Sequence, residues 1–117
     1  MATLISPENV RKSDLAIIDV REYPEYASGA IEGSRLVPLS AVQREAAQWK
    51  KDDPVLLVCR SGKRAAQAAS NLEHLGFQNI NMLHGGFEAW KAAGLPIHVQ
   101  QTNRGQLIVR SGPLLAV

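Results

Sequence analysis

The sequence is poor in residues that cross-link a fold or hold a metal. Its 117 residues include a single cysteine, Cys59, which excludes an intramolecular disulfide and a zinc site built from several cysteines. The three histidines do not have the spacing of a metal-ligand set, so we expect neither a metal nor a cofactor. Whatever Cys59 does, it does as a lone thiol. We interpret this cysteine usage as that of a reducing compartment and expect a cytoplasmic location.

The sequence also has no long apolar run and no block of like charge. Nothing in it approaches the ~20 apolar residues that a membrane helix needs, and the N-terminus does not resemble a cleaved secretory signal. The 13 basic and 11 acidic residues leave a net charge of only +2, which argues against nucleic acid as the main partner. With 45% hydrophobic and 21% charged residues, the composition is that of one globular domain.

Strand-type and helix-type patterns alternate along most of the chain. A nearly continuous apolar run at residues 15–20 and a continuous one at 55–58 are typical of strands buried on both faces of a parallel sheet, and residues 79–83 are interpreted as a third buried strand. Apolar spacings of three and four predict an amphipathic helix over 64–75, and helical segments are also expected at 7–12, 24–27, 41–50 and 86–93. The alternation predicts an α/β fold with a central, mostly parallel sheet and helices on both faces. It stops near residue 99, so we predict a domain over residues 1–99 and a C-terminal tail or linker over 100–117.

The loop between the strand at 55–58 and the following helix carries the most informative residues. It consists of Cys59, Arg60, Ser61, Gly62, Lys63 and Arg64. Ligands of parallel α/β sheets bind at the carboxyl ends of the strands, where the next helix presents unpaired backbone N–H groups. Such amides, together with the helix dipole and the cations of the loop, can form a cradle for an anion, and a glycine eases the tight curvature.

We therefore expect Cys59 to be a nucleophile, because amide dipoles and neighbouring cations favour the thiolate over the thiol. The same groups would stabilise an anion above the sulfur. The loop is thus suited to attack on an oxyanion substrate and to holding a charged covalent intermediate. The alternative interpretation is a small buried residue that happens to end a strand.

Three motifs follow one another along the chain in a recognisable order. They are IDVRE at residues 18–22, CRSGKRA at 59–65 and GGFEAW at 85–90. Together they resemble a single-domain rhodanese over about residues 3 to 98. The resemblance implies a rhodanese-like fold, and it implies sulfur transfer from a small sulfur-containing anion such as thiosulfate to cyanide, a thiol or a thiol protein. It further implies that Cys59 forms a persulfide held by the amides of residues 60–64. Ala30 departs from the family, because many members carry a histidine there.

Two other functions remain open from the sequence. A non-catalytic sulfur carrier or regulatory binding module would use the same cysteine without efficient turnover. Related phosphatases and arsenate reductases have a longer loop than the four residues between Cys59 and Arg64, so the spacing favours sulfur transfer. Because the chain has no second cysteine, a persulfide on Cys59 requires an external acceptor in any case.

Several polar residues outside the loop are expected at the same edge of the sheet. Asp19 and Arg21 end a strand, where we favour a structural ion pair and keep Arg21 as a candidate substrate-side residue. Glu22 and Glu25 are interpreted as exposed charges at the start of a helix. His84 follows another strand, and we favour a structural or rim role for it, because transfer through an ionised thiolate needs no general base.

The C-terminal segment from about residue 103 is loosely similar to a linker found in some bacterial proteins, in which a rhodanese domain precedes a small membrane-spanning region. On that interpretation the chain is the cytoplasmic domain of a membrane-anchored parent protein. The other interpretation is a tail that packs on the domain or on a neighbouring chain.

Overall fold

A five-stranded sheet organises the chain in the computed structural model, which describes residues 2–99 and Leu114. The strands are, in chain order, β1 Thr3–Ile5, β2 Ala16–Asp19, β3 Ala30–Ile31, β4 Arg35–Leu36, β5 Val55–Val58, β6 Ile80–Leu83 and β7 Ile97–His98. The main sheet has the order β1-β6-β5-β2-β4, and its pairings are parallel. Strands β3 and β7 form a separate antiparallel ribbon, in which Ala30 pairs with His98.

The helices connect and cover these strands. The α-helices of the described residues are α1 Tyr23–Ala27, α2 Val42–Ala46, α3 Lys63–His74 and α4 Gly86–Ala92. Short 3-10 turns lie at Pro7–Asn9, Lys12–Asp14 and Leu39–Ala41. The longest helix, α3, follows the spacing of apolar residues in the sequence, because its buried positions are Ala65, Ala68, Ala69 and Leu72.

Two of the predicted helices are wrong in extent. Residues 7–12 form no continuous helix, because Val10 adopts an extended backbone after the first 3-10 turn and packs against the core. The helix predicted over 41–50 ends at Ala46, because the amides of the next three residues bond only three positions back along the chain. This tighter winding precedes Trp49, whose buried indole packs edge to face on Phe77 with 6.2 Å between ring centroids.

The sheet has an apolar core on each face. Along β5 the side chains alternate between the two: Val55 and Leu57 contribute to the core that includes α3 residues, whereas Leu56 and Val58 contribute to the core that includes Phe87 and Trp90 of α4. All four side chains of β5 are fully buried, as expected for a central parallel strand. The α/β fold with a mostly parallel central sheet is therefore confirmed.

The topology gathers the residues that follow the strands at one edge of the sheet. Strand β5 lies between β6 and β2, so the loop that begins at Cys59 occupies the middle of the carboxyl edge. The connections after β2 and β4 lie beside it, since the amide of Val20 donates to the carbonyl of Val58 and that of Leu39 donates to Val20. This arrangement is the one in which α/β proteins bind ligands.

The predicted C-terminal tail, residues 100–117, lies outside the described residues apart from Leu114. The side chain of Leu114 is half-buried and packs against the core that includes α3. The division at residue 99 stays a prediction. Within residues 2–99 and at Leu114, the structure contains no helix of the length and apolar character required to cross a membrane.

Candidate active site

Cys59 lies at the carboxyl end of β5 with its side chain enclosed by backbone amides. The residue is 1% exposed. Its Sγ accepts hydrogen bonds from the N–H of Gly62 at 3.0 Å and from the N–H of Ala65 at 3.3 Å. These donors come from the loop and from the first turn of α3, so both are fixed in place before any substrate arrives. The arrangement stabilises negative charge at the sulfur.

The local sequence explains why the loop closes around the sulfur. Gly62 has a φ of +123°, a conformation that residues with a Cβ rarely adopt, and it immediately precedes α3. The turn at Gly62 leaves the first N–H groups of α3 without helical partners. Ala65 presents one of these N–H groups to the sulfur. The 12-residue helix adds the positive end of its dipole at the same point.

The first turn of α4 donates hydrogen bonds to carbonyl groups of the cysteine loop. The N–H of Phe87 donates to the carbonyl of Cys59 at 2.8 Å, and the N–H of Glu88 donates to the carbonyl of Arg60 at 3.2 Å. Gly86 makes this approach possible, because a Cβ there would lie only 2.6 Å from the Cys59 carbonyl oxygen and would also overlap the Arg60 carbonyl. The carbonyls of Cys59 and Arg60 are therefore bonded to α4, while the N–H groups of Gly62 and Ala65 donate to the sulfur.

Arg64 ends the loop in a bidentate ion pair with Glu25. Its Nη1 and Nη2 donate to the two carboxylate oxygens of Glu25 at 2.7 and 2.9 Å. These hydrogen bonds lower the pKa of Glu25 to about 2 and raise the pKa of Arg64. A Coulombic interaction with Cys59 raises the pKa of Arg64 by a smaller amount, so the guanidinium lies close enough to the cysteine to interact with it electrostatically.

The interpretation of Glu25 as an exposed charge is therefore wrong, because its side chain is two-thirds buried and pairs with the loop. Glu25 stands 39 residues before Arg64, so no local pattern reveals the contact. The only signal is topological: Glu25 follows β2, Arg64 follows β5, and these strands are neighbours.

The other loop side chains are open to solvent. Arg60, Ser61 and Lys63 are exposed. Arg60 forms an ion pair with Glu88 at 3.2 Å, and both of these side chains are more than half exposed. Lys63 has no ion-pair partner within the part of the chain that the structure describes. Its ammonium group is therefore the loop cation most available to an incoming anion.

Arg21 is buried in a structural ion pair with Asp19. Its Nε and Nη2 donate to the carboxylate oxygens at 3.0 and 2.8 Å, and Nη2 also donates to the carbonyl of Gly29 at 2.7 Å. The guanidinium lies 4.3 Å from the centroid of the Phe87 ring. These contacts tie the end of β2 to the connection before β3. The substrate-side role of Arg21 remains a prediction without a supporting contact.

The remaining polar residues of this edge form no further centre. The side chain of His84 is exposed, and its backbone N–H donates to the carbonyl of Ile5. Among residues 2–99 and Leu114, no group of three or more His, Cys, Asp or Glu side chains is placed to hold a metal ion. The chemistry of this edge is therefore concentrated at Cys59 and its loop.

Comparison with known proteins relates the chain to sulfur-transfer proteins. A family model of the rhodanese-like domain matches residues 7–93. The thiosulfate sulfurtransferase GlpE of Pseudoalteromonas translucida is 34% identical over 86 residues, which cover 74% of this chain and 82% of that protein. A sulfurtransferase of Allochromatium vinosum is 34% identical over 84 residues, covering 72% of this chain and 78% of that protein. The crystal structure of a rhodanese-related protein from Thermoplasma volcanium has a TM-score of 0.76 at 27% identity and covers 84% of this chain and 99% of that chain.

The family match includes every element around the cysteine. Residues 7–93 contain β2, the loop from Cys59 to Arg64 and helices α3 and α4. The resemblance seen in the sequence is thus confirmed over most of the chain, and the chain belongs to the rhodanese-like domain family.

Proposed function

We propose that this protein is a sulfurtransferase that moves sulfane sulfur through a persulfide on Cys59. The observation that carries the proposal is the convergence of two backbone N–H groups on a buried Sγ, at 3.0 and 3.3 Å. Such donors favour an anionic sulfur and cost no reorganisation when it forms. Two relatives at 34% identity are named thiosulfate sulfurtransferase and sulfurtransferase, which supports the same reaction.

The first half-reaction uses a thiosulfate-like or persulfide donor. The Cys59 thiolate attacks the outer, sulfane sulfur of the donor and forms a new S–S bond. The original S–S bond breaks, and its electron pair leaves with sulfite when thiosulfate is the donor. Exposed Lys63 and Arg60 attract the anionic donor to the loop. The amides of residues 60–64, together with the N–H of Ala65, then hold the charged persulfide.

The second half-reaction regenerates the thiolate. An acceptor, cyanide or a thiolate, attacks the outer sulfur of the persulfide, and the electron pair of the broken S–S bond returns to Cys59. No second cysteine takes part, since Cys59 is the only one in the chain. The acceptor is therefore a separate molecule.

The loop supports sulfur transfer better than phosphate or arsenate chemistry. In phosphate or arsenate chemistry the nucleophile attacks the tetrahedral centre itself, whose oxygens call for a free, fork-shaped guanidinium, whereas in thiosulfate it attacks the outer sulfur. Both terminal nitrogens of Arg64 are instead engaged by Glu25. Hydrolysis of an aryl phosphate that depends on Cys59 would contradict this part of the proposal.

The test is steady-state turnover with thiosulfate and cyanide. We expect thiocyanate to form, with parallel lines in double-reciprocal plots because sulfite leaves before cyanide reacts. Cys59→Ser should abolish turnover, whereas Gln48→Leu, at an exposed site away from the loop, should not change it. A wild-type protein that takes up sulfur without turnover would indicate the carrier function instead.

The setting of the reaction is also part of the proposal. A cytoplasmic location follows from the use of an unpaired thiol, which a reducing compartment keeps available. A membrane-anchored parent protein is the alternative setting; it rests on the likeness of the C-terminal segment to a linker, and residues 100–117 lie outside the described residues apart from Leu114.

A further inference from the structure

A cleft with polar and apolar lining lies beside the cysteine loop. Its volume is about 470 Å³, within the usual range for sites that bind small molecules. The lining residues are Glu22, Leu39, Ser40, Gln43, Arg64, Gln67 and Asn71. The cleft begins at Arg64, whose pKa is raised in part by the nearby Cys59, and it is not used by the donor reaction described above.

Uncharged amide side chains dominate the side of the cleft that leads away from the loop. Arg64, Gln67 and Asn71 lie on one face of α3 at helical spacing. The seven-residue step from Arg64 to Asn71 corresponds to about 10 Å along the helix axis. Gln43 faces this row from α2. Within the part of the chain that the structure describes, the side-chain amides of Gln43, Gln67 and Asn71 have no hydrogen-bond partners.

The charges at the cleft do not favour an anion. The only cation in its lining is Arg64, which is paired with Glu25, and the carboxylate of Glu22 adds a negative charge. Lys63, by contrast, is exposed on the loop itself. The loop therefore suits an anionic donor, and the cleft suits an uncharged ligand that both donates and accepts hydrogen bonds.

A peptide backbone has these properties. Each side-chain amide can donate to a peptide carbonyl and accept from a peptide N–H. An extended peptide advances about 3.3 Å per residue, so a length of about 10 Å corresponds to three residues. Cyanide has no groups for these amides to donate to and accept from at once, whereas a cysteine in an extended segment has a peptide group on each side.

We propose that this cleft binds the backbone of an extended, cysteine-bearing peptide segment as the sulfur acceptor. The inference rests on the proposed sulfur transfer and names the class of acceptor. The acceptor thiol loses its proton to solvent, and its thiolate attacks the outer sulfur of the Cys59 persulfide. A new S–S bond forms on the peptide, the bond to Cys59 breaks, and its electron pair returns to Sγ.

Binding is tested without any sulfur transfer. The probe is N-acetyl-Gly-Ser-Gly-amide, an uncharged tripeptide in which serine replaces cysteine, titrated into isotopically labelled protein. We expect the side-chain amide signals of Gln43, Gln67 and Asn71 to shift together in the wild type. In a Gln67→Leu, Asn71→Leu variant, in which only the Gln43 signal of the three remains, we expect that signal no longer to shift. Shifts confined to other residues, or no saturable shift, would overturn the proposal.

Kinetics then separates this inference from the proposed function. The acceptors are N-acetyl-Gly-Cys-Gly-amide and cyanide, each with thiosulfate as donor. We expect Gln67→Leu, Asn71→Leu to lower the ratio of kcat/KM for the peptide to kcat/KM for cyanide about tenfold, as expected for the loss of about two hydrogen bonds. The exposed control Gln48→Leu should leave that ratio at the wild-type value.

Two failures are distinguishable. An unchanged ratio in the double variant, with both acceptors active, would refute the cleft and leave the sulfurtransferase intact. Absence of turnover with both acceptors in the wild type would refute the proposed function, and saturable binding of the serine peptide would then identify the cleft as a peptide site of a non-catalytic module.

Discussion

Replacing Gly86 with alanine tests whether contact between α4 and the cysteine loop is required for both stability and activity. Gly86 has a φ of +66°, and a Cβ there would lie 2.6 Å from the carbonyl oxygen of Cys59. The control is Gly94→Ala: its φ is +73°, but a Cβ there would meet nothing within 4 Å. The two substitutions share a left-handed backbone and differ in the contact with the loop.

The expected magnitudes follow from these contacts. A left-handed alanine costs about 1 kcal/mol at either position. At Gly86 the added Cβ also forces apart the hydrogen bonds from Phe87 and Glu88 to the loop carbonyls, at about 1 kcal/mol each. We therefore expect the free energy of unfolding to fall by about 3 kcal/mol in Gly86→Ala and by about 1 kcal/mol in Gly94→Ala.

Thermal unfolding and sulfur transfer measure the two consequences. For a domain of this size, the difference of about 2 kcal/mol corresponds to a melting temperature about 8 to 16 °C lower for Gly86→Ala than for Gly94→Ala. We also expect kcat/KM of the folded Gly86→Ala protein to fall about tenfold or more, because the amides around Sγ move with the loop. Equal loss of stability in both variants, with equal activity, would refute the role assigned to α4.

Three further substitutions address charges around the site. Glu25→Gln should lower the free energy of unfolding by about 1 kcal/mol at neutral pH, because the side chains of Glu25 and Arg64 are each about one-third exposed. Because folding lowers the pKa of Glu25 from 4.5 to about 2, this stabilisation is complete above about pH 4.5 and is lost as the pH falls towards 2. Denaturant unfolding should therefore show that the free energy of unfolding decreases less over this pH range in the variant than in the wild type. Lys63→Gln should raise KM for thiosulfate about fivefold at low salt, as expected for the loss of about 1 kcal/mol of Coulomb energy. The increase should be smaller at high salt. The control Lys50→Gln should leave KM for thiosulfate unchanged. Arg21→Met should cost about 3–5 kcal/mol in urea unfolding, because it leaves the buried carboxylate of Asp19 without its partner.

Each of these expectations has a result that would contradict it. Parallel pH profiles for Glu25→Gln and the wild type would mean that the ion pair does not stabilise the fold. A salt-independent effect of Lys63→Gln would exclude electrostatic attraction of the donor. A stable Arg21→Met protein with a raised KM for thiosulfate would favour the substrate-side role of Arg21 over the structural one.

The sequence predicts the cysteine loop well because its information is local. Strand, cysteine, glycine and helix follow one another within a short segment, and hydrogen bonds between near neighbours, such as Gly62 to Sγ, determine its geometry. The strand at 55–58 is predicted to the residue, since an uninterrupted apolar run buried on both faces has few alternatives. The apolar spacing of residues 64–75 likewise predicts helix α3 to within one residue at each end.

The sequence does not predict features that depend on how distant elements meet. The contact of Glu25 with Arg64 requires the order of β2 and β5 in the sheet, and the role of Gly86 requires α4 to approach the loop after β5. The early end of α2 has a similar cause: the buried position of Trp49 against Phe77 is favoured over a regular helix to residue 50. Tertiary packing decides each of these features.

The mass of the intact protein after a single exposure to thiosulfate tests the persulfide on Cys59 most directly. The expected product carries the mass of one additional sulfur atom, located on the peptide that contains Cys59, and cyanide should remove it with formation of an equal amount of thiocyanate. Cys59→Ser should remain unmodified. A wild-type protein that gains no sulfur, or that gains it at another residue, would contradict the account.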